Sequence, residues 1–154
     1  MSDERVSCGS AAAAPHPASL HRPLPIPPGE ELRLLGSVAL GRIVFTQQAL
    51  PAIRPVNHIV DDGDIVVRTR ALSALALQVP AGSGRGVVVA YEADDIDPLT
   101  HLGRSVAATG YAHLVTGHAE LQRYGRLLQP WVEQPMDCTV TIRPELITGV
   151  RLAA

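Results

Sequence analysis

Lysine is absent from the chain, and all 13 basic residues are arginine. Without lysine there is no Schiff-base amine, no lysine nucleophile and no P-loop lysine, which removes several enzyme classes at once. Cysteine is nearly absent too. Cys8 and Cys138 stand far apart, with no C-x-x-C pair and no histidine at ligand spacing, so neither a structural disulfide nor a zinc site is expected. No run approaches the roughly 20 apolar residues of a membrane span. The N-terminal stretch lacks the basic region, apolar core and cleavage site of a secretory signal, so the expected location is cytoplasmic, with no membrane partner. Aromatics make up 3% of the chain and are not interleaved with a basic stripe, and the formal net charge is -2. No field is available to hold a polyanion, and nucleic-acid binding is not expected.

What is present fits one folded unit, since 154 residues can bury a core without staples. Residues 1–27 combine Ser, Ala and scattered prolines with no periodic apolar face, and read as a flexible arm ahead of a domain over 28–154. PGEELRLLGS predicts a short helix with Pro and Glu in its first turn, ending near Gly36 or Ser37. GRIVFT (41–46) reads as a strand, QQALP as a turn, and residues 53–60 as a second strand. Asp61-Asp62-Gly63 supplies a tight hairpin, and Asp64–Thr69 returns antiparallel. ALSALALQ predicts a brief helix. GRGVVVAYE, a near-continuous β-branched run, predicts a central strand buried on both faces. An acidic loop, ADDIDPLT, a long strand (102–115) and a helix with Leu121, Tyr124 and Leu128 on one face follow. Two strands, CTVTIRP and LITGVRL, meet at a Pro144-Glu145 corner. Many short strands without βα alternation argue for a small, mainly β antiparallel barrel with a few short packing helices.

The chemistry concentrates between Pro51 and Leu77. Arg68 and Arg70 share one face of their strand and Thr69 takes the other. Where the chain then turns, two guanidinium groups and the Thr69 and Ser73 hydroxyls can meet an anion such as a phosphate. Arginines pairing with Asp62 or Asp64 on a solvated surface is the bland alternative. In the partner strand, Arg54, Val56 and His58 face one way, and Ile53, Pro55, Asn57 and Ile59 the other. Pro55 cannot complete a ladder, Asn57 offers both donor and acceptor, and His58 is either a ligand group or a strand histidine at a barrel rim or subunit interface. GSGRG lacks dinucleotide-loop spacing, Asp94, Asp95 and Asp97 lack a calcium-loop pattern, and the histidines build no metal site. Trp131, the single tryptophan, is a packing anchor, a dimer contact or an aromatic lid.

PAIRPVNHIVDDGDIVVRT, preceded by LGSVALGRIVF, resembles the flavin-binding half of the pyridoxamine 5'-phosphate oxidase-like family, particularly its nitroimidazole-resistance-related small flavoproteins. LGRSVAATGYAHLV is similar to that family's G-x-S-V-x-x-x-G strand, and PWVEQPMDCTVTIRPELITGVRL to its closing segment. The likeness runs in family order over residues 28–152. It implies a split β-barrel of the FMN-binding type, a homodimer, and FMN in a groove between subunits. It further implies phosphate near Arg68, Thr69 and Ser73, and the isoalloxazine along Pro55, Val56, Asn57 and His58, with no catalytic side chain. The implied activity is that of an FMN-dependent oxidoreductase acting on a small molecule. Relatives on this fold also imply F420 as cofactor, or a non-catalytic protein binding FMN, haem or another ligand. The chain departs from the family in three places: Arg70-Ala71-Leu72-Ser73 replaces a step with a phosphate lysine, His58 a tyrosine, and Arg104 a tryptophan. Arg70 is the expected substitute for the lysine's charge.

Overall fold

Apolar residues alternate with polar ones along most strands, so each strand turns one face inward and the strands close around a single core. In a computed structural model, which describes residues 20–70, 73–79 and 84–154, the order is β1 (Arg22–Pro25), α1 (Glu31–Gly36), β2 (Leu40–Gln47), β3 (Leu50–Asp61), β4 (Asp64–Thr69), β5 (Val87–Ile96), β6 (Gly103–Leu114), α2 (His118–Leu127) and β7 (Cys138–Ala153). All strand pairs are antiparallel, in the spatial order β1-β7-β4-β3-β2-β5-β6, and a β6–β7 pairing closes the barrel. Ile43, Phe45, Ile65, Val67, Val89, Tyr91, Val106, Val140 and Ile142 fill the interior, and Leu34 and Leu35 of α1 pack against them. Each of those two leucines contributes about 1.5–3 kcal/mol by leaving water. The mainly β, split-barrel reading holds.

Several details differ from the sequence reading, each for a physical reason. Part of the stretch expected to belong to a flexible arm is built into the fold: Arg22–Pro25 pairs with Val150–Ala153, and Ile26 is buried against the core. Residues 1–19 lie outside the described part. β5 buries one face only, with Val89 and Tyr91 inside and Val88 well exposed, because a barrel wall has one interior. Asp94 and Asp95 extend β5 instead of forming a loop. Residues 73–79 form successive hydrogen-bonded turns, Leu77 N–H on the Ser73 carbonyl and Gln78 and Val79 N–H on the Leu75 carbonyl, rather than a regular helix, and Ala71, Leu72 and residues 80–83 lie outside the described residues. The expected corner at Pro144 is a bulge within one 16-residue strand: Thr109 faces Leu146 and Gly110 faces Pro144, leaving Glu145 unopposed. A side chain at Gly110 would run into the Arg143 carbonyl.

Outside the barrel, α2 covers the outer face of β3 and β4, where Tyr124 and Leu128 bury Val66 with help from Ile59. Polar bonds fix this docking. The Asp61 carboxylate accepts two bonds from Arg123, at 2.6 and 2.7 Å, and one from the Tyr124 hydroxyl at 2.8 Å. These donors, Arg123 foremost, lower the Asp61 pKa to about 2. A carboxyl depressed on folding stabilises the fold above its unfolded pKa near 4 and loses that contribution as pH falls toward 2. Because Arg123 is half exposed, solvent screening keeps that contribution small. Urea denaturation at pH 7, 4 and 2.5 should therefore show a shallower acid loss in Asp61→Asn than in the parent, and identical slopes would refute the assignment.

Candidate functional site

β3 and β4 are paired only from Asp61↔Asp64 to His58↔Val67. Beyond that rung β4 runs on beside β7 to Thr69↔Cys138, while β3 stays with β2 down to Leu50. The strands part and leave a cleft of about 320 Å³. One wall is Arg54, Pro55 and Val56, and the other is Arg68, Thr69, Arg70, Ser73, Ala74 and Leu75, with Ile43, Phe45 and Met136 completing the lining. His58 bonds its N–H to the Ala39 carbonyl on the β2 side, so the backbone groups of Pro55 and Asn57 point toward the opening instead. Pro55 brings no donor to that edge.

Among the described residues, three arginines, two hydroxyl residues and no carboxylate line this cleft beside an apolar floor. Thr69 Oγ1 donates to Ser73 Oγ at 3.0 Å, and the same oxygen accepts the Ala76 N–H at 3.1 Å, leaving the Ser73 proton to be donated elsewhere. Arg54 donates to the Ile53 carbonyl at 2.8 Å, its guanidinium 6.0 Å from the Phe45 ring centroid. Arg68 has a second engagement: it donates to the Leu128 carbonyl at 3.2 Å and the Met136 carbonyl at 2.5 Å, clasping both ends of the loop that carries Trp131.

Of the residues singled out in the sequence, Pro55, Val56, Arg68, Thr69, Arg70 and Ser73 come together here. Asn57 and His58 do not line the cleft. Asn57 turns outward and donates to the Gln129 carbonyl at 2.8 Å, and the His58 ring lies in the core between the Leu35 carbonyl and the Tyr91 hydroxyl. Burial lowers the His58 pKa, more than the Leu35 bond raises it. Burial also raises Tyr91 well above the ordinary phenol value, with Glu92 adding to it. The sequence reading did not select Arg54, although it shares a strand face with Val56, nor Phe45 and Met136, which arrive from separate segments. Arg104 sits 3.4 Å from Asp95, and Trp131 is exposed on its loop outside the cleft lining.

Other places carry less. A larger depression of about 710 Å³ is lined by Asp61, Asp62, Asp64 and Glu120, and its arginines, Arg123 and Arg143, pair with Asp61 and Asp64. That lining does not suit an anion. The Cys138 thiol is pushed up by burial and by Asp137, which disfavours a reactive thiolate. Among the described residues no group of three or more His, Cys, Asp or Glu could hold a metal ion, and no helix is long and apolar enough to cross a membrane.

Residues 28–151 match the pyridoxamine 5'-phosphate oxidase family. The uncharacterized protein Rv0080 of Mycobacterium tuberculosis is 48% identical over 149 residues, covering 97% of each chain. Among solved structures, a protein assigned as a pyridoxamine 5'-phosphate oxidase from Corynebacterium glutamicum superposes with a TM-score of 0.66 at 30% identity, over 84% of this chain and 93% of its own. A FAD binding protein from Mycobacterium smegmatis does so with a TM-score of 0.63 at 29% identity, over 86% of this chain and 100% of its own. With the family matched over residues 28–151, from α1 into β7, and the split between β3 and β4 in place, the chain belongs to the pyridoxamine 5'-phosphate oxidase family.

Proposed function

We propose that this protein is a flavin-dependent oxidoreductase that holds FMN in the cleft between β3 and β4 and acts on a small molecule. The observation that carries this reading is the lining itself: Arg54, Arg68 and Arg70, the Thr69–Ser73 hydroxyl pair, an apolar floor and, among the described residues, no carboxylate. Such a set fits a ligand with a phosphate at one end and a flat apolar ring at the other. The Mycobacterium smegmatis relative is a FAD binding protein, which supports a flavin on this fold. Arg70 and Arg68 supply the charge that a lysine would otherwise bring, and the Ser73 proton adds a donor. Pro55 and Val56 offer the flat, dry wall. When bound, the flavin supplies the hydride or electron exchange, and these residues bind it, orient it and exclude water.

A second copy of the chain completes the proposal. Ile53, Val44, Ala90, Thr109 and Leu146 stand opposite one another across five strands on the outside of the barrel, with Ile53 and Leu146 more than half exposed. This mostly apolar row begins beside Arg54 at the cleft, and covering it with a second copy would bury both the row and the cleft mouth. Purified protein should be yellow, or should quench added FMN at one per chain, and should sediment as a dimer. Colourless protein that takes up no FMN would sink the flavin reading, and the same titration with F420 distinguishes the two cofactors.

A further inference from the structure

His58 sits at the apex where the two walls of the cleft separate. It is the last β3 residue paired with β4 and is 4% exposed. Its Nε2 lies 2.7 Å from the Leu35 carbonyl, which can only accept, so Nε2 carries the proton. In the neutral ring Nδ1 is then an acceptor, and the Tyr91 hydroxyl donates to it across 2.6 Å. The two rings meet edge to face, with centroids 5.1 Å apart. Tyr91 is fully buried, and its hydroxyl also lies 3.4 Å from the Val56 carbonyl, on the strand that forms a cleft wall. Gly41, opposite Val56, leaves the space this ring occupies.

We propose that Tyr91 and His58 are positioning residues that set the place of the β3 wall, and with it the separation of the cleft walls: the single hydroxyl proton is given to His58 at the apex of the fork, and the Val56 carbonyl, two residues along the same strand, is the other acceptor within its reach. The consequence for ligand binding rests on the flavin reading above, whereas the positioning belongs to the ligand-free chain. Protonating the ring makes Nδ1 a donor. The Tyr91 oxygen must then accept that bond, and its own proton turns to the Val56 carbonyl. The charge on His58 is thereby linked to a hydrogen bond on the wall strand.

The charged groups on the elements around His58 are engaged elsewhere. On α1, Glu31 accepts the Gly29 N–H and Arg33 pairs with Glu30. Arg42 of β2 pairs with Glu92 and Asp94 of β5, and Asp95 of β5 with Arg104. On β4, Asp64 pairs with Arg143 and Arg68 bonds the loop carbonyls. On β3, Arg54 bonds the Ile53 carbonyl and Asp61 pairs with Arg123. Tyr91 is the titratable group in contact with the ring.

The test is NMR on the flavin-free protein, following the His58 ring and the amides of both walls with pH. The amides of Arg54, Val56 and Asn57, and those of Arg68 and Thr69, should shift with the same midpoint as the ring. In Tyr91→Phe the midpoint should move to lower pH, because the charged ring loses a charge-assisted bond and the neutral ring only a weaker one, and both sets of amides should be displaced already at neutral pH. Wall amides that ignore the His58 titration, or a Tyr91→Phe change confined to the neighbours of residue 91, would overturn the proposal. The parent titration stands even where the variant folds poorly. FMN titrations at each pH should then show affinity falling about fivefold as His58 becomes charged, the scale of one modest hydrogen bond. Walls that follow His58 in a protein that binds no FMN at any pH would refute the flavin reading and leave the positioning intact.

Discussion

Gly41→Ala is expected to lower stability by about 3 kcal/mol, read as a drop in melting temperature of roughly 6–12 °C for the flavin-free protein. A methyl group at this position would lie 2.6 Å from Cε1 and Cζ of Tyr91 and collide with its hydroxyl. Tyr91 has no exposed surface, and its hydroxyl is committed to His58, so the ring has nowhere to go. Overpacking a rigid core forces the neighbours off their rotamers. The clash is local, which gives a clean control. Tyr91→Leu alone should also destabilise, yet combined with Gly41→Ala the loss should fall about 2 kcal/mol short of the sum, because the second change removes what the first collides with. Strict additivity in that cycle would show that Gly41 is constrained by something other than Tyr91.

Arg68→Ala is expected to weaken FMN binding about ten- to hundred-fold, corresponding to roughly 1.5–3 kcal/mol for a lost charge-assisted contact. The same guanidinium clasps the Leu128 and Met136 carbonyls, so its removal should also free the loop between them. Chymotryptic cleavage at Trp131 should accelerate, and the emission of this single tryptophan should change with it. Faster cleavage with unchanged FMN affinity would make Arg68 a clasp alone, and would leave the phosphate to Arg54 and Arg70.

How much of this was legible in the residues depended on whether the decisive contact was local. Asp62-Gly63 announced its hairpin because the two φ values it needs, 48° and 83°, are chemically encoded in that pair. The turn at Gln48-Ala49 takes similar values, 50° and 63°, with no glycine to show it. Arg68, Thr69, Arg70 and Ser73 lie within six residues, and the constellation they form followed from strand parity. Parity also grouped Arg54, Val56 and His58 on one face. It did not say that the face passes from cleft wall to core within that span, because the change is made by β4 leaving β3 at His58. Tyr91 is 33 residues further along, and no spacing rule joins it to His58. The same limit hid β1, whose prolines break every period and whose partners are at Val150–Ala153. The three valines of β5 suggested burial on both faces, whereas a barrel wall shows one face to solvent. Family order, carried by loose motifs in succession, supplied the global arrangement that these local rules lacked.

The 16-residue reach of β7 has a consequence for how the molecule is made. This strand pairs with β1, β4 and β6, so the barrel stays open until residues near 150 have left the ribosome. The β2–β3 and β3–β4 hairpins need only neighbours a few residues away and can form early, whereas Arg68 and Thr69 are set in place by Thr139 and Cys138. One wall of the cleft is therefore present during synthesis and the other waits for the last strand. A ligand that needs both walls, as the proposed FMN would, can therefore bind only once the barrel has closed.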